Sequence, residues 1–92
     1  MIVCLRHDGT LELLDADNFR AFSFKGLFHQ IPHAEAVEFG DGYAWISQAA
    51  LRSLQPYSQQ TAWLQNLDSM IEFATTQGWV SAETGRIRAH IE

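Results

Sequence analysis

The chain has 92 residues, 47% apolar and 18% charged, enough for one hydrophobic core and too few for two, so residues 1–92 are expected to form a single domain. Eleven acidic residues against six basic ones give a net charge of −5, and only Arg86 and Arg88 among the cations stand close together, which argues against nucleic acid as a partner. A lone cysteine excludes an intrachain disulfide, and with no signal-like start and no run of about twenty apolar residues the expected location is cytoplasmic, without a membrane.

Residues 2–6 and 10–14 are apolar runs separated by His7, Asp8 and Gly9, the pattern of a tight β-hairpin. Cys4, inside the first run, is expected to behave as a small buried hydrophobe. Asp15 or Asp17 suits the cap of a helical turn at 16–20, and Phe22, Ser23 and Phe24 alternate like a short strand. Residues 26–33 form the most loop-like stretch, because Pro32 removes a backbone donor and biases Ile31 toward extended geometry.

A second Asp-Gly turn, at Gly40, Asp41 and Gly42, separates strands expected over 34–39 and 43–46. Ser47 suits the cap of a helix of about two turns that Pro56 stops. Ser58 suits the cap of a longer helix over 58–77, closed by Gly78. Trp63, Leu64, Leu67, Met70, Ile71 and Ala74 make one apolar stripe along it, opposite a face of Gln65, Asn66, Asp68, Ser69, Glu72, Thr76 and Gln77 that contains no lysine or arginine. From Arg86 to Glu92 polar and apolar residues alternate, as in a strand with one wet face. Together these elements predict an α+β domain: a mostly antiparallel sheet of four to five strands with two helices packed on one face.

Three groups of residues have the chemistry of a site. His29, His33 and Glu35 gather ligand-type side chains around Pro32, but that proline breaks the helix that would stack two imidazoles, and zinc asks for three or four ligands, so no metal is assigned. Arg86, Arg88, His90 and Glu92 project side by side from the last strand, where two arginines can clamp a carboxylate or phosphate. The weightier reading places them on an edge strand, as charges that prevent unwanted strand pairing. Trp45 and Trp79 belong to an aromatic set with Tyr43, Tyr57 and Trp63; Trp63 fits the core, while Trp45 and Trp79 lie near element ends, where aromatics line pockets and interfaces.

No nucleophile elbow and no glycine-rich phosphate loop occurs, so neither a catalytic residue nor a cofactor is assigned. The expected function is a non-enzymatic protein-interaction module, a homodimer formed through the uncharged helix face or a sheet edge. The alternative is a small-molecule-binding domain or minor enzyme, with a pocket between the helices and the sheet near the 27–35 loop, beside His29, His33, Trp45 and Trp79.

Overall fold

A computed structural model describes residues 1–6, 8–25, 36–40 and 42–92. The elements in chain order are β1 (Ile2–Leu5), β2 (Leu11–Leu14), β3 (Ser23–Lys25), β4 (Val37–Gly40), β5 (Tyr43–Ile46), α1 (Gln48–Arg52), α2 (Thr61–Thr76) and β6 (Ile87–Ile91), with a 3-10 turn at Tyr57–Gln59. The strands form a single sheet in the order β2-β1-β3-β6-β5-β4.

The α+β class matches the expectation, while the sheet is larger and of a different kind. Six strands rather than four or five are present among the described residues, and β3 pairs parallel with both β1 and β6. Parallel neighbours need long crossovers. Here the chain between β3 and β6 supplies one, carrying β4, β5 and both helices. The sequence shows two hairpins, and these exist as the antiparallel pairs β1·β2 and β4·β5. It has no local signal for the seam that joins them. One main helix, α2, replaces the expected two: α1 spans five residues and ends at Arg52.

Local chemistry accounts for most element ends. Gly9 takes φ 86°, while Asp8 accepts hydrogen bonds from the Thr10 amide and hydroxyl at 3.0 and 2.6 Å. Ser47 caps α1 by accepting from the Ala50 amide at 3.2 Å. Ser58 does not cap α2; it sits in the preceding 3-10 turn, and Gln60 occupies the cap position without a side-chain bond. At the other end Gly78, with φ 77°, closes α2: its amide donates to Thr75 and the Trp79 amide donates to Ala74, the paired bonds of a left-handed helix stop. Residues 16–20 form turns rather than a helix, after Asp15 at φ 49°. The Met1 amine ties this stretch to β1 by donating to the Asn18 and Ala21 carbonyls.

Alternation along each strand divides the sheet into two faces. One face carries Val3, Leu5, Leu11, Leu13, Phe24, Val37, Ala44, Ile46, Ile87 and Ala89, which are buried with Leu51 of α1 and Trp63, Leu67, Ile71 and Ala74 of α2. The short α1 and the main helix α2 both contribute buried side chains to this face. Phe24 on β3 and Phe39 on β4 have ring centroids 5.4 Å apart although β6 and β5 lie between their strands. A flat sheet would hold these strands about 14 Å apart, so the sheet curls around its core.

Candidate functional site

The face turned away from the helices is the open one, and the strand registers arrange it in three rows. Leu14, Ile2, Ser23, His90, Tyr43 and Gly40 form the middle row, in order across the six strands. Glu12, Cys4 and Lys25 form a row on one side, and the bond from the Glu92 amide to the Phe24 carbonyl extends it to Glu92. Arg88, Trp45 and Glu38 form the row on the other side, and Trp79 stands beside Arg88, accepting at its carbonyl from the Arg88 amide at 2.8 Å.

Six of the residues singled out from the sequence, Tyr43, Trp45, Trp79, Arg86, Arg88 and His90, lie on or beside this face. The Arg88 guanidinium lies 4.3 Å from the Tyr43 ring centroid and 5.9 Å from that of Trp79. Both separations suit attraction between a cation and an aromatic face. Trp79 also meets Phe73 of α2 edge to face, with centroids 5.8 Å apart. Arg86 is more enclosed: its guanidinium donates to the Trp45 carbonyl at 3.4 Å and pairs with Glu38 at 3.5 Å. The Trp45 indole donates to the Gly40 carbonyl at 3.2 Å. His90 is exposed in the middle row, beside Tyr43.

Two readings of these residues change. β6 is an inner strand between β3 and β5, so Arg86, Arg88 and His90 do not guard a sheet edge. Trp45 faces away from the helices rather than into the space between the two layers. Cys4 is corrected as well: Val3 and Leu5 take the inward positions of β1, leaving the thiol half-buried on the open face. Burial, with Glu12 next in effect, pushes its pKa up. His29, His33, Glu35 and the 26–33 loop lie outside the described residues, as do His7 and Asp41. Among the described residues no group of three or more His, Cys, Asp or Glu is placed to hold a metal, and no helix is long and apolar enough to cross a membrane.

Lys25 and Phe73 were not singled out from the sequence, whereas Glu92 was placed on the wet face of the last strand. Phe73 had a readable signal, since a large apolar side chain off the Trp63, Leu67, Ile71 and Ala74 stripe has no core to enter, and it is 56% exposed. Lys25 joins the row of Glu92 only through the parallel register of β3 and β6.

A cleft of about 620 Å³ opens elsewhere, between the β1–β2 turn and α1, with Asp8, Thr10, Leu11, Ala36, Ser47 and Leu54 in its lining. Its polar groups are spent locally: Asp8 on Thr10, Ser47 on the α1 cap, and Ser53 on the Ala49 carbonyl. Such an arrangement offers shape and few convergent polar contacts. No family model matches this chain, and no curated protein or solved structure matches it.

Proposed function

We propose that the protein is a non-enzymatic interaction module that pairs with a second copy of itself through the open face of its sheet. The observation that supports this reading is the contact series Trp79, Arg88, Tyr43 on the open face, with Trp79 37% exposed. Tryptophan, tyrosine and arginine are the residue types that contribute most to binding at protein interfaces, and exposed apolar surface of this kind marks a contact site.

Two other surfaces compete on weaker grounds. The outer face of α2 is poor in charge, but Asp68 is paired with Arg52 and Phe73 is the large apolar side chain it offers. The outer edge of β4 offers Phe39, 56% exposed, on a strand of four residues that also carries Glu38, and charged short edges resist pairing. A small-molecule site in the cleft beside α1 is the second reading, favoured by its volume alone.

Light scattering on a dilution series of the purified chain, with native mass spectrometry on the same sample, tests the proposal. A dimer without added mass is the expected result. A monomer at high micromolar concentration refutes self-association, and a monomer carrying a bound small molecule moves the assignment to the cleft.

A further inference from the structure

The charges on the open face fall into two classes. Glu12 has a partner within its own chain, Arg6 at 3.5 Å, and Glu38 has Arg86 at 3.5 Å. Arg88, Lys25 and Glu92 have no ion pair among the described residues. Arg88 is held against Tyr43 and Trp79, and its guanidinium makes no hydrogen bond to another described residue. An arginine kept in place by ring contacts presents a positioned fork for a planar carboxylate.

The arrangement of these charges is self-complementary. Arg88 and Glu92 lie on the same strand, two and two residues either side of His90, so their Cα atoms are about 13 Å apart. Consider a two-fold axis lying between two stacked open faces, perpendicular to β6 and crossing it at His90. Rotation about it exchanges the two outer rows and, where the curved faces meet along β6, sets His90 opposite its own copy with Ser23 and Tyr43 at its sides. Arg88 then faces Glu92 of the second copy, twice by symmetry. Lys25, beside Glu92 in its row, faces Trp79, beside Arg88 in the other. The middle row must contain no fixed charge for this to work, because each charge would meet itself; Leu14, Ile2, Ser23, His90, Tyr43 and Gly40 include no Lys, Arg, Asp or Glu. Sheets stack about 10 Å apart, a gap that an arginine and a glutamate bridge together.

We infer that two copies of this chain stack open face to open face about a two-fold axis at His90, with Arg88 of each copy paired to Glu92 of the other. The inference rests on the proposed self-association and adds its register. An isologous interface of this kind closes at the dimer and leaves no surface for further growth.

Charge exchange tests the register, read as the dimer dissociation constant by sedimentation on the full chain, with circular dichroism as the check on folding. Glu92→Arg sets like charges opposite each other and weakens the dimer by about tenfold or more. Arg88→Glu does the same, with the added loss of the ring contacts. The double variant Arg88→Glu, Glu92→Arg regains most of what Glu92→Arg loses. A wild-type dimer that Glu92→Arg leaves unchanged, or a double variant no tighter than either single one, overturns the register while leaving the interaction-module reading standing. A wild-type monomer overturns both.

Discussion

The Trp63 indole N–H donates to the Ala16 carbonyl at 2.9 Å, joining α2 to the turn after β2 across 47 residues of chain. The ring is 3% exposed and packs against Tyr57 and Phe19, with centroids 5.0 and 5.9 Å away. Trp63→Phe keeps much of the apolar contact and removes the donor, leaving a buried carbonyl unsatisfied at a cost of about 1–3 kcal/mol. In a domain of this size that lowers the thermal midpoint by at least about 4 °C. A midpoint equal to wild type in a calorimetric or circular dichroism melt would contradict the role given to this bond.

Asp8 is held below its ordinary value of 3.8, first by the Thr10 hydroxyl and then by the Thr10 amide. A carboxyl whose folded value is depressed favours the fold above pH 3.8, and this contribution is lost as the pH falls through the lower folded value. Thr10→Ala removes the leading cause, so the Asp8 carboxyl carbon in an NMR titration is expected to titrate closer to 3.8 than in wild type. An unchanged titration would show that the turn bonds do not set its acidity.

Cys4 shifts the other way, its thiol raised above the ordinary 9.0 by burial and by Glu12. Its neutral form favours the fold below pH 9.0, and the contribution is lost as the pH rises through the higher folded value. Alkylation at pH 8 is expected to be slower in the folded chain than in urea, and Glu12→Gln to speed it, because the thiolate is the reactive form. Equal rates folded and unfolded would contradict the assigned shift.

Local chemistry was legible in the sequence, whereas relations between distant segments were not. Asp8–Gly9, Ser47 and Gly78 each have a backbone reason within a few residues, and the stripe through Trp63, Leu67, Ile71 and Ala74 follows from helical period alone. The parallel seams of β3 have no such marker: Ser23–Lys25 is three residues long, and its pairing with Ile2–Cys4 on one side and His90–Ile91 on the other is decided by packing across the whole chain. That is why the row of Arg86, Arg88 and His90 was correctly read as one face of a strand and wrongly given to an edge. Cys4 shows the same limit on a smaller scale, since an apolar run does not say which of its alternating positions faces the helices.

The indole N–H signals offer the most direct test of where the chain makes its contacts. Trp63 is a buried internal reference bonded to Ala16, while Trp45 and Trp79 stand on or beside the open face. In nitrogen–proton correlation spectra across a dilution series, concentration-dependent shifts are expected at Trp45, Trp79, Tyr43, Arg88 and His90, with Trp63 and the outer face of α2 still. Shifts confined to Gln65, Asn66, Ser69 and Thr76, or to Glu38 and Phe39 at the sheet edge, would contradict the open-face account.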